Sequence, residues 1–170
     1  MDIGDIITIW NAHQEHPKKL SKSFRKWDGK TPYSMHPLWC ATTILSETTL
    51  DEQTREEGAL ALLYHDILED TFEQLPPLLP ERVKEIIKQM TFQGSEQEMK
   101  EIWNKPKEIK LYKLYDKVSN LLDASWMDAE KLKKYRDYTY GLAHDVEAQY
   151  GNLNIHKLAN GLFFCSTFLG

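Results

Sequence analysis

The sequence predicts an all-α fold in one domain spanning residues 1–170. Three observations carry that expectation. Apolar residues recur every three to four positions in each long segment, the spacing of one helix face. No segment alternates apolar and polar residues as a half-buried strand does. The helix breakers fall between the periodic segments, at Pro32, Pro76, Pro77, Pro80, Gly94, Pro106 and Gly151. The chain is 41% hydrophobic, enough for a core and too much for a disordered chain. A net charge of −5 supplies no field that would draw it to nucleic acid or an anionic membrane. No apolar run approaches the ~20 residues of a membrane span. Two cysteines, Cys40 and Cys165, form no metal pattern and are expected in or near the core. With no signal peptide, this cysteine usage points to the cytoplasm.

Taken in order, residues 3–16 read as a first amphipathic helix with Ile6, Ile7, Ile9, Trp10 and Ala12 apolar, and with His13 and His16 as exposed late residues. Residues 17–30 are a basic exception, with Lys18, Lys19, Lys22, Arg25, Lys26 and Lys30 against the single acid Asp28. Most of these lysines read as a solvated face. Asp28-Gly29 and Pro32 mark a turn. Residues 36–46 read as a helix with Pro37 in its first turn. Thr48 or Thr49 is expected to cap the next helix, which runs to about residue 69. After a proline-rich loop, residues 81–90 form a helix, 91–96 a polar turn, and 98–103 a helical turn that ends before Pro106. Residues 108–124 and 128–149 form two long helices. A final helix closes the chain, with 162–168 open to an extended alternative.

The chemistry concentrates at residues 59–71, where an apolar run ends in His65 and Asp66, followed by Glu69 and Asp70. A core helix has no packing reason for four such groups in six positions, because a buried charge costs several kcal/mol unless it is paired or bound to a metal. Glu69 and Asp70 lie four residues after His65 and Asp66, so they project along the same side one turn on. Upstream stand Arg25 and Lys26, beside the turn that leads to His36. A guanidinium forks onto phosphate oxygens and an ammonium supplies a point charge, so this patch implies an anionic substrate such as a phosphate ester.

The order His36, His65-Asp66, Asp116 resembles the HD-domain metal-dependent phosphohydrolases. The finer pattern resembles the small stand-alone RelA/SpoT-type (p)ppGpp hydrolases. It comprises Arg25, Gly29 with Thr31-Pro32-Tyr33, His36-Pro37, the run from His65 to Thr71, and Lys113-Leu114-Tyr115-Asp116-Lys117 with Asn120. The resemblance implies an HD-domain helical bundle with His36, His65, Asp66 and Asp116 as metal ligands. This mixed N/O set suits Mn²⁺, Fe²⁺, Co²⁺ or Zn²⁺, and the resemblance favours Mn²⁺. It implies Glu69 and Asp70 as the acid/base pair. Arg25, Lys26, Asn120, Arg136 and Tyr140 are implied as substrate contacts.

The chain departs from the pattern at residues 91–95, at Ser119 and at Leu122. These departures spare the expected metal centre and bear on the substrate. The leading expectation is a hydrolase of phosphorylated nucleotides, and at its finest a guanosine-3′,5′-bis(diphosphate) 3′-pyrophosphohydrolase. The alternatives are a phosphatase for a nucleoside monophosphate or NADPH, and a non-catalytic nucleotide-binding module.

Overall fold

The structure, a computed structural model, describes residues 1–164. Helix α1 (Ile3–Glu15) starts with a capping box: the Asp2 side chain accepts from the Asp5 amide and the Asp5 side chain accepts from the Asp2 amide. Helices α2 (Met35–Leu45), α3 (Glu52–Tyr64) and the single turn α4 (Ile67–Asp70) follow. Then come α5 (Glu81–Met90), α6 (Ser95–Glu101), α7 (Lys107–Leu122), α8 (Ala129–Tyr150) and α9 (Asn154–Phe164). Only two isolated β-bridges, Pro17 with Thr71 and Phe24 with Pro32, occur among the described residues. The all-α expectation holds. No helix among the described residues is long and apolar enough to cross a membrane.

Helix α7 is the axis of the bundle. Twelve of its sixteen residues are buried, so it is covered nearly all round, and α2, α3, α5, α8 and α9 pack against it. One close crossing depends on a glycine. A Cβ on Gly58 of α3 would run into the Tyr112 ring of α7 and come within 2.8 Å of Ile44 Cδ1 on α2. The missing side chain therefore lets α2, α3 and α7 meet closely.

Several boundaries differ from the sequence expectation, each for a local reason. The helix expected to run unbroken to about residue 69 stops at Tyr64 and restarts at Ile67. His65 Nδ1 lies 2.7 Å from the Leu62 carbonyl, so the side chain satisfies an end carbonyl of α3. Asp51 caps α3, accepting the Thr54 amide at 2.8 Å, in place of Thr48 or Thr49. Helix α6 begins earlier than expected, at Ser95, after Gly94 with φ of 136°. His13 is fully buried, against the expectation of exposure, and its ring lies against Tyr33 with centroids 4.7 Å apart. His16 is exposed as expected. Residues 162–164 are helical, and the rest of the segment with the extended alternative lies outside the described residues. Cys40 is buried, and Cys165 also lies outside them.

Candidate active site

Three places on the bundle supply the central cluster. His36 comes from the first turn of α2, His65 and Asp66 from the break between α3 and α4, and Asp116 from the middle of α7. All four are buried. The donor atoms of His36, His65 and Asp116 lie within 4.8 Å of one another. Asp66 completes the group, with Oδ2 3.5 Å from His36 Nε2 and Oδ1 3.2 Å from His65 Nε2. Asp116 Oδ1 stands 3.3 Å from His36 Nε2 and 3.7 Å from His65 Nε2.

The four residues fit a divalent cation. Both Nε2 atoms are buried without a hydrogen-bond partner. The His65 ring uses its Nδ1–H on the Leu62 carbonyl, so when neutral it turns a lone pair toward the carboxylates. His36 is held at its other nitrogen too, with Nδ1 2.8 Å from Ser119 Oγ. Lone pairs facing carboxylates repel unless a cation lies between them. Donors bound at about 2.1 Å and at right angles around one ion lie about 3 Å apart, close to the spacings seen.

Charge agrees with geometry. Burial alone would raise the Asp66 and Asp116 carboxyls. The imidazoles beside Asp66, and Lys117 with Lys113 beside Asp116, outweigh it and hold both below the usual carboxylate range. Burial lowers His36 to about 4 against the pull of Asp116 and Asp66. Burial also disfavours the His65 cation, but Asp66 and Asp116 prevail and raise it to about 9. The two rings share one environment and shift in opposite directions. A divalent ion would neutralise both carboxylates and compete with protons for the ring nitrogens.

The outer oxygen of Asp116 is fixed by a buried ionic network. Lys113 and Lys117 each lie 3.1 Å from Asp116 Oδ2, and both reach Glu98 of α6, at 3.1 and 2.8 Å. Tyr138 of α8 donates to the same Glu98 at 2.9 Å. Every charge in this network has an opposite partner, the condition under which burial is tolerated.

The cluster meets a cleft of about 530 Å³ through Asp66 and Asp116, which line it. Glu69 and Asp70 both line it. Glu69 accepts the Phe92 amide at 2.8 Å, and Asp70 is paired with Lys22 at 2.6 Å. Burial raises the Glu69 carboxyl above its ordinary value, with Lys113 opposing. Burial and the Asp66 charge raise Asp70, with Lys22 opposing. Carboxyls shifted this way can exchange protons nearer neutral pH. Tyr33, from the turn before α2, donates to Asp66 Oδ2 at 2.9 Å.

The residues implied as substrate contacts divide. Lys26 and Asn120 line the cleft, and Asn120 also donates to Asp116 Oδ1 at 2.7 Å. Arg25 is buried in a side recess of about 100 Å³, its Nε 2.7 Å from Asp123 Oδ2. The guanidinium expected to fork onto phosphate is thus met by a carboxylate of the chain. Arg136 and Tyr140 do not line the cleft, and the Tyr140 ring packs instead against His144 and Phe163. Tyr135 and Lys131 are the α8 residues that reach it.

Lys22, Tyr33, Glu98, Trp126 and Lys131 line the cleft beside the residues expected there. The i, i+3 pair of Lys113 and Asp116 was a readable signal on α7. Lys22 had none, because it sits in a charge run of ordinary appearance.

No protein-family model matches the chain, and no curated protein matches it in sequence. A solved structure matches it in fold. It is described as a metazoan ortholog of SpoT that hydrolyzes ppGpp and plays a role in starvation responses, and it superposes with a TM-score of 0.70. The match covers 99% of each chain at 18% identity. The chain has the HD-domain fold. The expectation of an HD-type helical bundle is therefore met over the described residues.

Proposed function

We propose that this chain is a single-domain, metal-dependent phosphohydrolase of phosphorylated nucleotides. The observation that carries the proposal is the cluster of His36, His65, Asp66 and Asp116 at a lysine-lined cleft, with Glu69 and Asp70 beside it. The four cluster residues would hold the divalent ion, with Mn²⁺ the first choice. A divalent ion supplies Lewis acidity, which lowers the pKa of a water and draws charge from phosphoryl oxygens. The chain's own groups do the rest. Lys113 and Lys117 hold Asp116 in place and offset negative charge at the cleft floor. Glu69 and Asp70 take a proton from the attacking water and return one to the leaving oxygen. Lys26 and Asn120 face the bound nucleotide.

At its finest the proposal names guanosine-3′,5′-bis(diphosphate) as substrate. The water oxygen bonds to the phosphorus attached to the 3′ oxygen and the bond to that oxygen breaks. The oxygen takes up a proton, and pyrophosphate leaves. Two observations support this choice: the structural neighbour is described as hydrolyzing ppGpp, and lysines lie both at the cleft floor and along its rim. A side-by-side rate comparison of ppGpp, NADPH and deoxynucleoside monophosphates with added Mn²⁺ tests it. Pyrophosphate release from ppGpp is expected to be fastest. Faster orthophosphate release from either of the others would overturn the substrate and leave the general phosphohydrolase. Binding with no release from any of them would reduce the protein to a nucleotide-binding module.

A further inference from the structure

Six lysines line the cleft, and their partners separate them. Lys113 and Lys117 are each tied to both Glu98 and Asp116. Lys26 and Lys131 lie 3.9 and 4.4 Å from the Trp126 ring at the rim. Lys19 is exposed. Lys22 differs from all of these. Its Nζ lies 2.6 Å from Asp70 Oδ2, and among the described residues no other carboxylate lies within ion-pair distance of it. Its other close neighbour is the Tyr33 ring, 5.2 Å away, which takes no hydrogen bond from it. An ammonium carries three N–H donors, so two are left for oxygens that enter the cleft.

The backbone that carries Lys22 is anchored. The turn Leu20–Lys22 is held to α1 by His13, whose Nδ1 lies 3.2 Å from the Lys22 carbonyl, and by Gln14, which donates to the Ser23 carbonyl at 2.8 Å. The Tyr33 amide donates to the same Ser23 carbonyl at 2.8 Å, and the Tyr33 hydroxyl rests on Asp66. One set of contacts therefore places the Lys22 ammonium between an acid/base carboxyl and the open cleft. A lysine of a solvated charge run has no such seating.

We propose that Lys22 is a substrate-contacting residue that bridges Asp70 and a phosphoryl oxygen of the anion bound in the cleft. The inference rests on the phosphohydrolase reading of this site and adds a contact outside the matched motifs. Bridging of this kind would hold the reacting phosphoryl group next to Asp70, so the contact acts on chemistry as well as on binding. It also explains why Asp70 is paired on its cleft side: the ammonium holds the carboxylate's orientation before the anion arrives.

The test uses the full chain loaded with Mn²⁺, with inorganic pyrophosphate as the calorimetric probe and metal content measured on every sample. Lys22→Met and Lys22→Gln should each weaken pyrophosphate binding by roughly ten- to hundred-fold, the range of a hydrogen bond to a charged group, with metal content unchanged. Lys22→Arg should recover part of the binding. Lys30→Met, in the same basic stretch but away from the cleft, should bind as the unaltered chain does. On the nucleotide substrate, kcat should fall with Lys22→Met, and its loss should not multiply with that of Asp70→Asn. Unchanged pyrophosphate binding in both neutral variants, or fully multiplying losses in the double variant, would overturn the proposal. Pyrophosphate binding that depends on Lys22, in a protein that turns over no nucleotide, would leave the contact standing and sink the hydrolase reading instead.

Discussion

Glu69 and Asp70 are neighbours in sequence with different surroundings, and their roles follow from those surroundings. Glu69 is held by a backbone amide and Asp70 by an ammonium, while burial raises both carboxyls. Neither belongs to the cluster that would hold the ion. Glu69→Gln and Asp70→Asn should therefore keep the metal and lose turnover by roughly 10²–10⁴-fold, the usual reach of general acid/base catalysis. Elemental analysis beside steady-state rates checks both halves, and unaltered rates in both variants would return these acids to a solvated helix end. At this scale the sequence was legible wherever a residue's chemistry conflicts with its apolar surroundings, as at His65, Asp66 and Asp116. It was silent at Lys22, and at Arg25 it could not show that the guanidinium finds Asp123 far along the chain.

Among the elements, α9 has a titratable latch. His156 is buried, its Nδ1 accepting the Leu153 amide at 2.9 Å and its Nε2 donating to the Ala143 carbonyl at 3.1 Å. The contact at Nδ1 requires the neutral ring, because an imidazolium has no acceptor there. Burial lowers its pKa below 6.5, with the Ala143 carbonyl and Glu147 opposing. The unfolded chain therefore binds a proton that the folded chain refuses, so the latch's contribution is full above about pH 6.5 and falls as the pH drops below it. Urea midpoints measured at pH 7.5 and 5.5 should fall further for the native chain than for His156→Gln. Equal falls would show that His156 does not carry this dependence. The break between α3 and α4 is the element that periodicity could not show. The pattern continues through it, and the interruption comes from the His65 side chain taking the Leu62 carbonyl.

For the whole molecule, the cluster draws three separated stretches together, so a bound ion should stabilise the fold it bridges. A ligand at a hundred times its Kd adds about 2.7 kcal/mol if it binds only the folded state. For a chain of this size that is a rise in Tm of roughly 5–10 °C. Mn²⁺ should produce such a rise in a thermal melt and a chelator should reverse it. His65→Ala and Asp66→Ala should each lose the response along with metal retention. A full Tm rise and full metal occupancy in either variant would remove that residue from the ligand set.

The sequence by itself determined the helical class and the order of the motifs, and its resemblance to the HD-domain phosphohydrolases pointed to the residues that form the buried cluster. Helix periodicity is local, and a charged group at the end of an apolar run is visible without knowing its neighbours. Only the tertiary structure decided which cations face the cleft. Lys131 and Tyr135 are spaced as Arg136 and Tyr140 are, four residues apart on α8. The two pairs differ by five positions, which at ~100° per residue turns them about 140° apart around the helix. No local rule says which face of α8 meets α7. The packing of Tyr135, Tyr138, Leu142 and Val146 sets that rotation, and with it the side chains that reach the site.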